Sequence, residues 1–448
     1  MQDQFLLRFP NPSKLSTLVF DYFFKMRTIQ KQHLPALATL FVLVFILFFR
    51  FQYWSNNESN GYNATSWDAF GYYMYLPATF IYGDVKKLDW VKDVDKTYNV
   101  TGGEFYQVRK VENKDSYAGK YLTGVACMQL PYFIIGHLYA KSSHYKEDGF
   151  SAPYQYAILF GAILHVLIGL ILLSKVLRRY FSDQVVALTI VFIGLTTNLI
   201  QYTSIDGAMS HSFIFPLYSL LLYFTIKWHE IPRLKYAIAI GAIIGLATIS
   251  RPTEFIMIFI PIFWNTTNKE ERTKKWELVL KNRKHILFAM LFGIIAMLPQ
   301  FIYWKYATGS LIYNVGSKWY FLNPWFRVLF GPEKGWFLYT PVAVLMFAGF
   351  FLMRSKPYQR SILIFLVLNI WIIISWSDWT YGASYSTRAF VQSYPVFAFP
   401  LAATITYLLK NKLSAIFTLL LLIGLTVLNF YQMHIYNLGI LTGFSPLI

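Results

Sequence analysis

The chain has 448 residues, 56% hydrophobic and 14% charged, with 41 Phe, 33 Tyr and 13 Trp and a mean hydropathy of +0.41. A soluble globular domain carries roughly a quarter charged residues, so a disordered chain, a fibrous chain and an ordinary cytosolic enzyme are excluded and an integral membrane protein remains. The single cysteine, Cys127, excludes an intrachain disulfide, a cysteine-rich zinc site and an iron–sulfur cluster, while the net charge of +18 takes its meaning from where the charges fall.

Residues 1–33 carry charge and lack a small-residue cleavage site, which predicts an uncleaved cytoplasmic N-terminus. Residues 34–51 (LPALATLFVLVFILFFRF) form the first predicted span. A polar loop, 52–152, follows. Inside it, 121–140 is moderately apolar and contains Pro131, Gly136 and His137, which predicts an interfacial helix. A transmembrane bundle then fills 153–430, with spans at 153–174, 185–203, 207–227, 286–305, 337–353, 361–377, 389–409 and 413–430. Residues 236–264 are too long for one span and break at Arg251-Pro252. Proline removes a helical donor and disfavours helix at the residue before it, so two short helices meeting at a charged corner are expected. The tail, 431–448, carries no Lys, Arg, Asp or Glu. The expected fold class is an all-α polytopic membrane protein, one integral domain over 1–448, with about eleven transmembrane helices.

Charge placement tests that partition. With the N-terminus in the cytoplasm, the inside segments hold 23 Lys/Arg against seven Asp/Glu, and the outside segments 17 against 15. The excess lies on one face, as the positive-inside rule requires. The basic balance is therefore topology, and no nucleic-acid partner is expected. Membrane lipids are the expected surroundings.

The chemistry is expected on the outer face. Asp68, in SWDAFGYY, follows Trp67 and precedes Phe70, Tyr72, Tyr73 and Tyr75 close to the membrane exit. Two roles fit a carboxylate there: a general base for an acceptor hydroxyl, or a helix cap, by Ser66 or Asp68, for an interfacial helix whose aromatics face lipid. Arg251, Lys305 and Arg388 lie at outer helix ends, and Lys334 lies in an outer loop. There they suit either a phosphate, through the planar fork of arginine, or snorkelling to the interface. Glu254 accompanies Arg251, and Asp206 opens a span in SIDGAMSH with His211 one turn on. Two such ligands without a third do not make a metal site, so no metal is expected. Cys127 reads as a small buried hydrophobe and His165 as an interhelical donor. Tyr381 is one of many outer aromatics that suit an interface belt or a sugar face. The glycosylation-like triplets at Asn57, Asn63 and Asn99 carry no weight, because such triplets arise by chance.

This layout resembles the C-type fold of membrane glycosyltransferases (GT-C), such as the protein O-mannosyltransferases and the bacterial aminoarabinose-to-lipid-A transferases. The shared points are Asp68 early in the first large outer loop, an interfacial helix at 121–140, Asp206 opening a span, Arg251 at an outer corner, and GASYSTRAFVQSYPVFAFPLA (382–402) opening a late span. Many members have two adjacent acids in the loop; here residue 69 is Ala. The resemblance implies transfer of a monosaccharide from a polyprenyl-phosphate-linked donor to a glycan, lipid or protein acceptor on the extracytoplasmic side of a bacterial inner membrane. Asp68 would be the base, inversion the outcome, and no cofactor would be needed. Arg251 and Arg388, with Lys305 or Lys334, would neutralise the lipid phosphate, and Asp206, His211, Glu254, Tyr72 and Tyr381 would shape the site. Two other classes share the outline: a transporter or flippase of a lipid-linked glycan, and a noncatalytic assembly protein on the same fold. The long loop and the charges at helix ends favour the enzyme over the transporter, while the sequence hardly separates the enzyme from the assembly protein.

Overall fold

Apolar runs of span length can satisfy their backbone amides in lipid only within themselves, and helices accordingly dominate. The computed structural model describes residues 12–53 and 64–441, with side chains from Lys31 onward. The first eleven residues, the triplet at Asn57, Asn63 itself, and the tail beyond Leu441 lie outside the described residues. Helix α1 runs Pro12–Gln52 and contains the first apolar segment. The outer loop then folds into α2 (Asp68–Tyr73), α3 (Tyr75–Phe80), α4 (Val91–Tyr98), an antiparallel hairpin of β1 (Val108–Lys110) and β2 (Tyr117–Gly119), and α5 (Gly124–Lys141). The hairpin pairs Val108 with Gly119 and Lys110 with Tyr117; no apolar periodicity announces it.

The bundle follows as α6 (Ala152–Leu177), α7 (Asp183–Leu195), α8 (Leu199–Ser204), α9 (Ser210–Glu230) and α10 (Leu234–Thr248). After a 3₁₀ helix at Pro252–Ile258 come α11 (Phe259–Phe263), the polar α12 (Lys269–Lys281) and α13 (Arg283–Thr308). Short helices α14 (Arg327–Phe330) and α15 (Trp336–Tyr339) lead into α16 (Ala343–Leu352), α17 (Gln359–Ser375), a 3₁₀ helix at Arg388–Ser393, α18 (Tyr394–Leu408) and α19 (Lys412–Asn437). Among the described residues, five helices are long and apolar enough to cross a membrane, and five shorter helical segments are apolar. With α9 they fall on the eleven expected spans. Two spans are broken where the hydropathy pattern is continuous. Between α7 and α8 the buried Thr196 and Thr197 hydroxyls bond back to the Phe192 and Ile193 carbonyls, at 2.7 and 2.6 Å, competing with the helix. Pro341 separates α15 from α16.

Close helix packing uses small residues, as in other membrane bundles. Gly241 and Gly245 of α10 lie against Ala289 and Gly293 of α13. A Cβ on Gly241 would come within 1.8 Å of the Ala289 carbonyl oxygen, and one on Gly245 within 2.2 Å of that of Gly293.

The loops sort into two ends. At one, Asn265 N–H bonds the Pro357 carbonyl at 2.9 Å, the Thr267 hydroxyl bonds the Lys356 carbonyl at 2.8 Å, and Arg179 pairs with Glu230. At the other, Arg50 bonds the Ser204 carbonyl at 3.0 Å, Gly124 N–H bonds that of Ile249 at 2.8 Å, and the Ser116 hydroxyl bonds that of Ala307 at 2.8 Å. The start of α5 meets Ile249, while His137, near its far end, bonds the Tyr154 hydroxyl at 2.6 Å close to the start of α6. Both ends of α5 thus stay at the second end of the bundle, with Ile134, Ile135, Leu138 and Tyr139 exposed along one side. This is the interfacial placement expected.

Candidate active site

Asp68 is presented by a strained turn. Trp67 sits at φ 56°, ψ −128°, a region that residues with a Cβ rarely occupy. It is held there by its N–H to the Val100 carbonyl (2.9 Å) and by the Gln107 amide on its own carbonyl (3.1 Å). The chain then enters α2, which is anchored by the fully buried Phe70 and Tyr73. These aromatics, with Tyr72, face inward, which goes against the helix-cap alternative with its lipid-facing aromatics. No side chain caps α2, and the Asp68 carboxylate turns instead into the protein. One oxygen pairs with Arg388; the other accepts from the Tyr106 hydroxyl at 2.8 Å and from Tyr121. Gly71 lets Tyr121 pass, since a Cβ there would lie 2.0 Å from its ring. Burial raises the Asp68 carboxyl, but the Arg388 charge and the two phenols outweigh it and hold it below the usual carboxylate range. Burial and the adjacent carboxylate push both phenols well up, so they remain donors.

Arg388 opens the 3₁₀ helix before α18. Trp336 stacks on Phe390 at 4.0 Å, and the Thr387 hydroxyl bonds the Val328 carbonyl at 2.9 Å, fixing the segment from both sides. Asp68 and Arg388 meet on the wall of a cavity of about 1490 Å³ at the α5 end of the bundle. Arg50, Tyr72, Asp206, His211, Arg251, Glu254 and Tyr381 also line it. The cavity mixes apolar walls with a few convergent ionisable groups, as ligand sites do.

Arg251 stands at the helix break that Pro252 enforces, in extended backbone. Among the described residues its guanidinium makes no hydrogen bond or ion pair. Glu254 beside it is 3% exposed and accepts from Tyr218 and, at 3.0 Å, from the Gln392 amide. The Gln392 carbonyl oxygen meets His211 Nδ1 at 2.7 Å, so this chain links the α10 corner to α9 one turn beyond Arg388. Asp206 accepts from the Gln201 amide at 2.9 Å. Burial raises its carboxyl, while Gln201 and the Arg388 charge pull the other way. Tyr72 packs its ring edge-on to Tyr121 at 4.7 Å, and Tyr381 donates to the Ile373 carbonyl at 2.8 Å.

The two lysines are not brought to the cavity. Lys305 bonds the Gly309 carbonyl at 3.0 Å, on the exposed end of α13. Lys334 is buried under the 378–388 loop and donates to the Thr380 and Gly382 carbonyls. Burial, with the Arg388 charge, brings its ammonium down to about 8. Sequence reasoning also missed residues. Arg50 reads as the end of a span, although its place inside FFRF is a signal. Tyr106, Tyr121 and Gln392 gave none. Among the described residues no three His, Cys, Asp or Glu side chains gather as a metal-ligand group.

Residues 151–304 match the family described as dolichyl-phosphate-mannose-protein mannosyltransferase. No curated protein matches the chain in sequence. Among solved structures, the apo oligosaccharyltransferase of Archaeoglobus fulgidus is 11% identical, with a TM-score of 0.51 over 91% of this chain and 56% of its own. The oligosaccharyltransferase AglB of the same archaeon, in complex with an inhibitory peptide and a dolichol-phosphate, is 12% identical, with a TM-score of 0.50 over 91% of this chain and 55% of its own. The chain therefore spans little more than half the length of these proteins. ArnT from Cupriavidus metallidurans, bound to undecaprenyl phosphate, is 14% identical, with a TM-score of 0.40 over 70% of this chain and 65% of its own. The likeness to the archaeal structures is one of fold: the chain has the helical, multi-pass membrane architecture that the sequence predicted, shared with these oligosaccharyltransferases.

Proposed function

We propose that the chain is a membrane glycosyltransferase that moves a monosaccharide from a polyprenyl-phosphate-linked donor to an acceptor hydroxyl in this cavity. The observation that carries the reading is one carboxylate, Asp68, joined to Arg388 at the wall of a large cavity that also presents the Arg251 guanidinium, which among the described residues makes no hydrogen bond or ion pair. The donor phosphate lies against Arg251 and Arg388, whose planar forks match its oxygens. The acceptor oxygen attacks the anomeric carbon from the face opposite the phosphate. The bond from that carbon to the phosphate oxygen breaks, the configuration inverts, and the hydroxyl proton passes to Asp68.

Paired as it is, Asp68 is a weak base. A donor phosphate competes for Arg388 and lifts that restraint, and burial then raises the proton affinity of the carboxylate. Arg251 and Arg388 meanwhile balance the charge that grows on the leaving phosphate. The basic loops lie at the other end of the bundle, which by the positive-inside rule supports a cavity on the extracytoplasmic side and an N-terminus in the cytoplasm. A bacterial inner membrane suits this arrangement.

The test compares lipids and glycans by mass spectrometry in cells carrying the wild type, Asp68→Asn or no protein. The wild type is expected to add one monosaccharide mass to a glycan, lipid or protein, and Asp68→Asn to lose it at unchanged expression. Full transfer by Asp68→Asn removes Asp68 from the role of base. Arg251→Ala is expected to raise the apparent KM for the lipid donor.

A further inference from the structure

A second, open groove of about 570 Å³ lies between the β1–β2 hairpin, residues 315–317 and Trp376–Ser377. Its charged lining is Arg109, Lys110 and Lys120, and no carboxylate lines it. Lys120, Ser317 and Trp376 line both this groove and the large cavity, so the two spaces are neighbours that share a wall. None of the ion pairs among the described residues uses these three cations. Lys120 lies 6.0 Å from the ring of Tyr106, one of the two phenols that donate to Asp68.

The cations sit on a fixed ledge. The hairpin is tied to the end of α13 by Lys114 on the Thr308 carbonyl (2.6 Å), by Ser116 on that of Ala307 (2.8 Å), and by Gly119 N–H on the Tyr303 hydroxyl (2.9 Å). Asp115, in the hairpin turn and paired with Lys87, also acts on Lys110, but three like charges at one rim, none of them in an ion pair among the described residues, repel one another and concentrate anions there. Trp376, packed on Tyr381 at 4.6 Å, adds an aromatic wall of the kind on which sugar rings rest. An acidic peptide would meet the cations but leave that wall without a matching partner.

We propose that this groove is the acceptor subsite and that it takes an anionic glycan, a sugar chain bearing carboxylates or phosphates, and delivers one of its hydroxyls to Asp68. The word acceptor rests on the glycosyltransferase reading; the binding does not.

The experiment measures calorimetric binding to the full chain in nanodiscs. The probes are oligogalacturonate, phosphodextran, neutral maltoheptaose and poly-glutamate. At least one anionic glycan is expected to bind at least about tenfold more tightly than maltoheptaose, weakening with salt. Its affinity is expected to fall about tenfold in the Arg109→Ala/Lys110→Ala variant, which removes two exposed charges. Binding of neither anionic glycan, equal binding of maltoheptaose, or an unchanged affinity in the variant overturns the subsite. Poly-glutamate binding as tightly as the anionic glycans replaces the glycan with an acidic peptide and also overturns it. Asp68→Asn separates the two ideas: transfer that survives this change sinks the base while groove binding stands, and groove binding unmoved by the double variant sinks the subsite while transfer stands.

Discussion

The Asp68–Arg388 pair can be taken apart with Asp68→Asn, Arg388→Gln and the double variant. The two side chains are 12% (Arg388) and 19% (Asp68) exposed, so each single change strands a charge where water reaches poorly. Breaking a buried pair from one side costs about 3–5 kcal/mol. The surroundings place the variants at different points of that range. Asp68→Asn keeps an acceptor for Tyr106 and Tyr121 but turns an amide donor toward the guanidinium, which favours the upper end. Arg388→Gln leaves the carboxylate with two charge-assisted hydrogen bonds, each worth about 1.5–3 kcal/mol, which favours the lower end. The double variant buries no unpaired charge, so a coupling energy of about 2 kcal/mol or more is expected. Unfolding of the purified chain in detergent, followed by tryptophan fluorescence, gives the four stabilities. Additivity within about 0.5 kcal/mol would refute the claim that these side chains hold each other in place.

Three further outcomes are expected. Because the folded Asp68 carboxyl titrates below its ordinary range, its contribution is complete above the unfolded pKa of about 4 and is lost as pH falls through the folded value. Tyr121→Phe removes one donor and should move the acid-unfolding midpoint to higher pH; an unmoved midpoint contradicts the hydrogen bond. At the opposite end, burial brings the Lys275 ammonium from 10.5 down to about 7. The unfolded chain binds this proton between those values and the folded chain does not, so stability should rise with pH across the window. Lys275→Met should flatten that rise in a pH series of thermal melts. Gly241→Ala places a methyl 1.8 Å from the Ala289 carbonyl and should cost about 1–3 kcal/mol as overpacking; an unchanged Tm would mean that α10 and α13 do not pack as described.

The eleven apolar segments are legible because lipid demands the same signal of each. The break at Thr196–Asn198 is hidden because two threonines and an asparagine barely lower the average of an apolar window. Asp68 and Arg388 are each legible as lone charges beside an aromatic run or a polar loop. Their union is not, since 320 positions separate them and no local period connects them. Tyr106 and Tyr121 stand 38 and 53 residues from Asp68 in a loop without periodicity, so their hydrogen bonds belong to the tertiary fold alone. Lys305 and Lys334 read like Arg251, as cations near outer helix ends. Local carbonyls claim the lysines, whereas the proline break leaves Arg251 facing open space.

The span between Asp68 and Arg388 bears on how the molecule is made. A nascent chain holds the carboxylate from its first outer segment onward but receives the guanidinium only when the last two apolar helices emerge. A product that ends between residues 68 and 388 therefore carries the Asp68 acid without its counter-ion. Folding such a fragment would bury that acid without its partner, at a cost of about 3–5 kcal/mol.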